Sequence, residues 1–399
     1  MQNTSLKALL VAEGSGGHLV PALQAAHALT RQGVSVKVWY ARRHSTAHLA
    51  DALIQDALHA SLDIEAIPTP SSSNVFGRVW HGGQLWRRAQ RCFDAWGPDV
   101  VVGFGGWMSA PVVLAARARR IGCVLHEQNV VMGRANRWLS RWVDRIAVSF
   151  SDTQAQLDGT PSVVTGLPVR GRIGGISRTQ AAAQLGLDPE RPTLLVLGGS
   201  QGSRALNRLM ERMAALFSSA ERHMWQILHL TGRADAASVA NAYGTHHLAA
   251  LVRPYFIEME LLFAKADVVI ARAGASTIAE LARCGIPAVL IPYPFAGGHQ
   301  RANAQLVQAV GGGMMIEESD VSPERILNAI RRILTDERLR TMMGAQIRNL
   351  YCPGAAGRLA ETILEVAQAR AGRCARITPS FSEGRYVALS AAHLSGVAH

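Results

Sequence analysis

The chain has 399 residues, 48% of them hydrophobic, and 41 Lys and Arg against 29 Asp and Glu give it a formal net charge of +12. Because this length exceeds what one hydrophobic core usually supports, we expect two domains. The positive charge indicates a polyanionic partner, such as phospholipid, nucleic acid or a phosphorylated substrate.

Strand-like and helix-like runs alternate through the first half of the chain. Strands are predicted at 6–12, 34–40, 99–104, 121–125 and 145–149, and a helix at 20–32. This alternation predicts βα units around a buried parallel sheet. A loop-rich stretch then places a domain boundary near residue 167.

A second α/β series follows that boundary, with strands near 193–198, 226–230, 251–252, 267–271 and 287–292. We therefore predict one domain over 1–167 and another over 168–353. A last amphipathic helix is predicted over 354–371. Residues 372–399 lack periodicity and are predicted to be a disordered tail.

The sequence also shows what kind of protein to expect. No run approaches the roughly 20 apolar residues of a membrane-spanning helix, so we expect a soluble or peripheral protein. The five cysteines stand singly, without a Cys-x-x-Cys pair. That usage is typical of a reducing compartment and argues against a disulfide framework.

Each half contains an apolar run that ends in a glycine-rich turn before a helix. Residues 8–18 read ALLVAEGSGGH and residues 193–203 read TLLVLGGSQGS. Glycines let backbone N–H groups approach a phosphate, and the positive end of the following helix favours its charge. The pattern predicts two phosphate-bearing ligands, although the first turn alone also fits a plain strand-to-helix connection.

The second strand bears on which nucleotide the first turn would hold. An NAD site expects an acidic residue at the end of this strand. Here the strand ends in YARR at 40–43. This ending weakens an NAD interpretation and leaves an NADP one open.

Polar residues follow two later strands of the first half. GFGGW at 103–107 and HEQN at 126–129 come where an open α/β sheet presents its ligand crevice. Four consecutive hydrogen-bonding side chains are costly to bury unpaired, which favours a polar site facing the first turn. The alternative is a glycine packing contact and a buried, hydrogen-bonded His126.

The segment RAGASTIAE at 272–280 follows a predicted strand of the second half. A helix opening at Gly274–Thr277 would offer N–H groups to a diphosphate, and Glu280 could accept hydrogen bonds from a ribose diol. The alternative is that Thr277 and Glu280 form a capping box.

A polar helix start follows the proline- and glycine-rich run at 292–298. His299, Gln300 and Asn303 would lead that helix at the same crevice. Neutral donors and acceptors of this kind suit sugar hydroxyls, although a solvated helix start fits equally.

Metal ligands are sparse in the sequence. There is no HExxH or DxD motif, and His44 and His48 lack a nearby acidic third ligand. We therefore predict no catalytic metal and no cofactor.

Two stretches combine tryptophan with arginine. Residues 84–96 carry an apolar helical stripe, and Trp138 and Trp142 stand one turn apart in a basic segment, 134–145. Either stretch is explained by an amphipathic core helix or by docking to a membrane surface.

Taken in order, the motifs at 14–18, 103–107, 126–129, 198–202, 272–275 and 299–300 resemble those of the MurG family of bacterial cell-wall N-acetylglucosaminyltransferases, over residues 6 to 370. The resemblance implies a glycosyltransferase-B fold, with two Rossmann-like domains whose parallel sheets face a cleft. It implies that lipid I binds the first half and UDP-N-acetylglucosamine the second, and that the last helix, 354–371, crosses back onto the first half. The chain departs from the family at Glu13, where glycine is usual, and at Leu167, where asparagine is common.

The resemblance also implies residue roles. The implied donor-binding residues are Asn129, Arg170, Ser200, Ile257, Ala275, Ser276, Thr277, Glu280, His299 and Gln300. The implied acceptor-binding residues are Ser15, Gly16, Gly17, His18, Gly105 and Gly106.

The implied reaction is inverting attack of the muramyl 4-hydroxyl on the anomeric carbon, giving lipid II. Our candidate base is His18, because imidazole titrates near neutral pH, with His126 and Glu127 as alternatives. His18 could instead only bind the acceptor phosphate.

The family further implies an anionic membrane surface as partner, no nucleic acid, and a peripheral location on the cytoplasmic face of the membrane. Two other interpretations stay open: another sugar-nucleotide glycosyltransferase or epimerase of the same fold, and a non-catalytic sugar-nucleotide-binding protein.

Overall fold

The structure is a computed structural model that describes residues 5–14, 16–42, 54, 62–69, 75–157, 159–199, 201–295 and 297–370. These residues form two parallel β-sheets with helices packed against them. The predicted tail at 372–399 lies outside the described residues, as do Ser15, His44, His48 and Ser200.

The first sheet contains seven strands: β1 (Lys7–Ala12), β2 (Ser35–Arg42), β3 (Asp63–Pro68), β4 (Val100–Gly103), β5 (Gly122–Glu127), β6 (Arg145–Val148) and β7 (Ser162–Val164). The helices of this half are α1 (Gly16–Arg31), α2 (Val75–Trp96), α3 (Ser109–Ala118), α4 (Arg134–Leu139) and α5 (Ser151–Gln154), with a 3-10 turn at Ser140–Trp142. The strands lie in the order β3-β2-β1-β4-β5-β6-β7.

The second sheet contains six strands: β8 (Thr193–Leu197), β9 (Gln226–Leu230), β10 (Ala250–Arg253), β11 (Val268–Ala271), β12 (Ala288–Leu290) and β13 (Gly313–Met315), in the order β10-β9-β8-β11-β12-β13. The remaining helices are α6 (Arg178–Leu185), α7 (Arg204–Ala214), α8 (Ser219–Met224), α9 (Ala236–Thr245), α10 (Met259–Lys265), α11 (Ala275–Cys284), α12 (His299–Ala309), α13 (Pro323–Thr335), α14 (Glu337–Arg348) and α15 (Ala355–Arg370), with a 3-10 turn at Glu318–Asp320.

Both faces of each sheet are covered, as expected for parallel strands. Along β1, Leu9 packs into the core on one face of the first sheet and Leu10 into the core on the other. Successive side chains of a strand point to opposite faces, so a strand buried on both sides must be apolar throughout. This requirement explains why the central strands stand out in the sequence as short apolar runs.

The last helix, α15, packs against the first sheet although it follows the second domain in sequence. Leu359, Ile363 and Val366 lie in the same core as Leu10. The chain thus passes between the two domains twice, near residue 166 and again near residue 352.

The predicted fold class, two α/β domains with parallel sheets, is confirmed. Three strands were missed: β3, β7 and β13. Each lies at the edge of its sheet, and β7 and β13 have only three residues each. Edge strands need less apolar sequence, so periodicity is weak there.

The strand order reverses direction between β1 and β4 in the first sheet and between β8 and β11 in the second. Ligands of open α/β sheets bind at such switch points, outside the carboxyl ends of the strands. The first glycine turn follows β1, and the second follows β8. Both turns therefore lie at the switch point of their own sheet.

Candidate functional site

A cleft of about 840 Å³ lies between the two domains and is lined by both. From the first domain it receives Gly16, Gly17, His18, Gln128 and Asn129. From the second it receives the loop after β8, residues 254–257, the start of α11 and the start of α12. The two glycine turns therefore face a common cavity.

The first turn is tight enough to require glycine. A Cβ added at Gly14 would lie 1.9 Å from the carbonyl oxygen of Ala41. Helix α1 begins at Gly16, so His18 sits in its first turn and not in the loop before it. The N-terminal end of α1, with its positive partial charge, thus opens onto the cleft.

Glu13 is buried, at 6% exposure, and turned towards the loop after β4. Its Oε1 accepts a 3.4 Å hydrogen bond from the Met108 N–H, and a Cβ at Gly106 would lie 1.9 Å from Glu13 Cγ. Gly106 and Gly105 both have positive φ, at +81° and +82°. The Glu13 side chain, at a position where glycine was expected, therefore fits because Gly106 beside it has no side chain.

Gly105 and Gly106, predicted to bind the acceptor, are not among the residues that line the cleft. A Cβ at Gly105 would lie 3.5 Å from Cδ2 and Nε2 of His18. The His18 ring therefore lies beside Gly105, and His18 itself lines the cleft.

His126 is not placed to act as a base. It is fully buried, its Nε2 faces the Gly166 carbonyl at 3.4 Å, and its Nδ1 faces Gln128 Nε2 at 3.1 Å. These partners satisfy the neutral ring. Burial also lowers the pKa of His126 to about 4. Its suggested role as an alternative base does not fit this burial, and the alternative of a buried, hydrogen-bonded histidine describes it.

Glu127 is equally unsuited to that role. Its Oε1 accepts hydrogen bonds from the backbone and side-chain amides of Asn129, at 3.0 and 3.1 Å. Its Oε2 accepts from the Gly133 N–H at 3.0 Å and from Asn136 Nδ2 at 2.8 Å. With four donors already around it, Glu127 organises the polar loop, and His18 is the one candidate base that lines the cleft.

The second glycine turn is also sterically fixed. A Cβ at Gly202, whose φ is +76°, would lie 2.1 Å from the Thr231 carbonyl oxygen. The turn ends at Ser203, which caps α7 by accepting a hydrogen bond from the Leu206 N–H. Gly198, Gly199 and Gly202 line the cleft, as expected for a phosphate-binding turn.

Helix α11 begins with Gly274 as its N-cap. Ala275, Ser276 and Thr277 form its first turn and line the cleft. The N–H groups of a first turn have no acceptor within the helix and can bind an anion. Thr277 lies inside the helix, three residues beyond Gly274, so the capping box suggested for Thr277 and Glu280 does not form.

Arg170 connects three predicted donor-binding elements. Its Nη1 donates to the Ile257 carbonyl at 2.9 Å, and its Nη2 lies 3.4 Å from Glu280 Oε1. Burial raises the pKa of the Glu280 carboxyl, although the charge of Arg170 opposes the shift. Ile257 is half-exposed at the cleft. The three residues form one continuous wall of the second domain.

The start of α12 completes this wall. Gln300 Oε1 accepts a 2.9 Å hydrogen bond from the Tyr293 N–H, so its Nε2 amide is the group it can offer to a ligand. His299 Nδ1 lies 3.0 Å from the Val131 carbonyl of the first domain. Both residues line the cleft.

Arg272 is a cleft residue whose role the sequence did not predict. It is buried, with Nη1 2.6 Å from Glu318 Oε2 and Nη2 3.1 Å from Ser203 Oγ. Its position directly after a buried strand was the available signal, since that edge of the sheet meets the ligand. Arg272 holds the second glycine turn against the 3-10 turn that contains Glu318.

The aromatic stretches divide into core and surface. Leu85, Ala89 and Phe93 of α2 are buried in the first domain, as an amphipathic core helix requires. Trp80, Trp138 and Trp142 remain 65%, 49% and 44% exposed. The first domain thus presents tryptophans to solvent beside the arginines of segment 134–145.

The described residues contain neither a metal-type cluster nor a membrane-spanning helix. Within them, no cluster of three or more His, Cys, Asp or Glu side chains could hold a metal ion. None of the helices in the same part of the chain is both long and apolar enough to cross a membrane.

Family models match both halves of the chain. Residues 8–148 match the glycosyltransferase family 28 N-terminal domain, and residues 193–351 match its C-terminal domain. A Mesorhizobium japonicum protein named UDP-N-acetylglucosamine–N-acetylmuramyl-(pentapeptide) pyrophosphoryl-undecaprenol N-acetylglucosamine transferase is 38% identical over 88% of the chain and 93% of its own length. A Nocardioides protein of the same name is 35% identical over 90% of the chain and 98% of its own length.

Solved structures share the whole architecture. The crystal structure of Acinetobacter baumannii MurG is similar with a TM-score of 0.69 and 26% identity, covering 90% of this chain and 99% of that one. A UDP-GlcNAc 2-epimerase from Neisseria meningitidis, bound to UDP-GlcNAc, has a TM-score of 0.65 at 12% identity, covering 91% and 100%. The second likeness concerns the fold alone.

Proposed function

The chain belongs to glycosyltransferase family 28, and from this premise we propose that it transfers N-acetylglucosamine from UDP-N-acetylglucosamine to the 4-hydroxyl of the muramyl sugar of lipid I, giving lipid II. The observation that carries the proposal is the cleft in which two phosphate-type turns, one from each domain, face each other. An epimerase needs one nucleotide-sugar site, whereas transfer to a diphosphate-linked acceptor needs two anion sites.

The donor occupies the second domain. Uracil lies against Ile257, the ribose hydroxyls donate to Glu280, and the diphosphate sits at the first turn of α11 with Arg170 and Ser200. The contacts of Arg170 with the Ile257 carbonyl and with Glu280 support this arrangement, because they bring the three groups together before a ligand binds. Asn129, His299 and Gln300 hold the sugar.

Departure of UDP requires stabilisation of a growing negative charge. The N–H groups of Ala275, Ser276 and Thr277 and the guanidinium of Arg170 supply it, and one well-placed donor of this kind is worth roughly 3 kcal/mol in a transition state. Two or three such donors account for a large part of the acceleration.

The acceptor occupies the first domain. The N-terminal end of α1, at Gly16 and Gly17, binds the lipid diphosphate, together with Ser15. His18, whose ring lies beside Gly105 at the cavity wall, takes the proton from the attacking hydroxyl. Attack from the face opposite the departing UDP inverts the anomeric carbon.

The exposed tryptophans bring the enzyme to its lipid substrate. Trp138 and Trp142 lie beside Arg134, Arg137 and Arg141, which are also exposed. Indole rings prefer the membrane interface, and each arginine near an anionic surface adds about 1 kcal/mol of attraction. The enzyme therefore docks as a peripheral protein on the cytoplasmic face of the membrane, and the positive charge serves this surface and not a nucleic acid.

The test is a transfer assay with UDP-N-acetylglucosamine labelled in the sugar and a short-chain lipid I analogue. We expect a labelled disaccharide lipid and no UDP release without the analogue. Arg170→Ala should abolish most of the transfer rate. Arg172→Ala, a matched change at an exposed arginine two residues away, should leave the transfer rate unchanged. Free UDP or a 2-epimer formed without acceptor would refute the proposal.

A further inference from the structure

Asn303 joins the two domains at a buried point beside the cleft. It lies on α12 and has no exposed surface. Its Oδ1 accepts a hydrogen bond from the Val130 N–H at 2.9 Å, and its Nδ2 donates to the Ala273 carbonyl at 3.0 Å and to Asn129 Oδ1 at 3.1 Å. Val130 and Asn129 belong to the first domain, and Ala273 to the second.

The chemistry of these partners fixes the orientation of the amide. A backbone N–H only donates and a carbonyl only accepts, so Oδ1 must face Val130 and Nδ2 must face Ala273. Asn303 Nδ2 then presents its second proton to Asn129, which in turn must direct its own Oδ1 to Asn303. Asn129 Nδ2 is left to donate to Glu127 Oε1, at 3.1 Å.

The chain of polar contacts continues into the first domain. Glu127 Oε2 accepts from the Gly133 N–H and from Asn136 Nδ2. At its other end, Ala273 immediately precedes Gly274, the N-cap of α11. A continuous series of hydrogen bonds thus links the first turn of α11 with the polar loop that carries Asn129.

We propose that Asn303 is a positioning residue that sets the alignment of the two halves of the cleft, acting through Asn129 on one side and Ala273 on the other. Asn303 is fully buried and is absent from the residues lining the cleft, so it acts on the substrates indirectly. The inference rests on the proposed function, because alignment matters when a sugar moves between the two domains. A misplacement of 1 Å in such a reaction can cost about 100-fold in rate.

The alternative is that Asn303 only satisfies buried polar groups and so contributes to folding. Gln226 provides a matched control. It is buried to a similar degree and bonds to the Asp188 N–H and carbonyl and to Arg191 and Thr193, all within the second domain. Truncating Gln226 removes four hydrogen bonds, against three at Asn303, without touching the domain boundary.

The experiment compares Asn303→Ala with Gln226→Ala. We expect Asn303→Ala to lower kcat by about 100-fold while the Kd for UDP, measured by calorimetry, stays near the wild-type value. Gln226→Ala should keep kcat close to wild type. Equal kcat for the two variants, or a loss of UDP affinity that matches the loss of kcat, would overturn the proposal.

A double variant tests the route of action. If Asn303 acts largely through Asn129, the two residues act as one unit. The fold-loss of kcat in Asn129→Ala/Asn303→Ala should then be smaller than the product of the fold-losses in the two single variants. Multiplicative losses would mean independent roles and would contradict the proposal. If Asn303→Ala does not fold, Asn303→Asp serves instead. The aspartate can still accept from Val130 but cannot donate to Ala273 or Asn129.

A further readout does not depend on activity. Hydrogen exchange of the Val130 amide should be faster in Asn303→Ala than in wild type, and unchanged in Gln226→Ala. Unchanged exchange in Asn303→Ala would refute the contact itself. If wild-type protein forms no disaccharide lipid, the proposed function fails, yet the exchange of Val130 still decides whether Asn303 holds the domains together.

Discussion

Ser276 Oγ lies 3.5 Å from the carbonyl oxygen of Gly17 and donates a hydrogen bond to it. Ser276 is in the first turn of α11 and Gly17 in the first turn of α1, so the N-terminal ends of two helices from different domains meet at the cleft. Two such ends carry positive partial charge and are unfavourable together without an anion nearby. This geometry fits a site that holds two diphosphates.

Replacement of His18 tests the assignment of the base. His18→Ala should lower kcat by at least about 100-fold, because general-base catalysis typically contributes at least that much. Initial rates at saturating lipid I analogue measure this effect. A near-normal maximal rate with only weaker acceptor affinity would remove His18 as the base and leave it as a phosphate ligand.

Glu280 gives a prediction for donor binding and its pH dependence. Glu280→Gln should weaken UDP binding by about 2 kcal/mol, since a charged hydrogen-bond acceptor is lost. In the proposed site the ribose hydroxyls donate to the ionised Glu280 carboxylate, whose pKa is raised by burial. The affinity for UDP is therefore highest above that pKa and falls as the pH drops through it.

Calorimetry between pH 7 and pH 5 measures how much the Glu280 carboxylate contributes to the pH dependence of UDP binding. We expect wild-type affinity for UDP to decline with falling pH more steeply than that of Glu280→Gln, which has no carboxyl to protonate. Unchanged affinity in the variant at neutral pH would contradict the assignment of Glu280.

The tryptophan surface gives a prediction about membranes. Trp138→Ser/Trp142→Ser should sediment less with vesicles that contain anionic lipid, and binding of wild type should weaken with added salt. Met342→Ser is the control, because Met342 is 53% exposed on the second domain. Equal sedimentation of wild type with neutral and anionic vesicles would discard the docking surface.

His126 gives a prediction about stability in acid. Its pKa is about 4 in the folded protein because of burial, whereas an unfolded histidine has its ordinary, higher value. Between those values the unfolded chain binds a proton that the folded chain does not. The contribution of His126 to the free energy of unfolding is therefore fully present above the pKa of the unfolded histidine. It declines as the pH falls towards 4, by at most about 1.4 kcal/mol per pH unit.

Urea unfolding at pH 7, 6 and 5 measures this decline. His126→Gln should show a shallower dependence than wild type. It should retain some dependence, because burial also lowers the pKa of His229, to about 3. An unchanged slope in the variant would show that His126 is not buried in its neutral form.

The sequence was informative where local pattern determines structure. Buried parallel strands must be apolar throughout, and phosphate-type turns need glycine, so both sheets and both turns were predicted. Contacts between distant residues were beyond reach. Asn303 meets Val130 across 173 positions. The partners of Glu127 lie only two to nine positions further along, but the return of that segment onto the carboxylate has no repeating pattern in the sequence. Sequence alone therefore placed Glu127 in the catalytic site and Asn303 among the sugar contacts.

The central claim is that one cleft binds two diphosphates at once, one at the N-terminal end of α1 and the other at the N-terminal end of α11. A crystal structure with UDP and a short-chain lipid I analogue tests it most directly. We expect the UDP diphosphate at the first turn of α11 beside Arg170, and the lipid diphosphate at Gly16 and Gly17 with His18 next to the muramyl sugar. A lipid diphosphate bound outside the cleft, or both ligands competing for the second domain, would contradict the account.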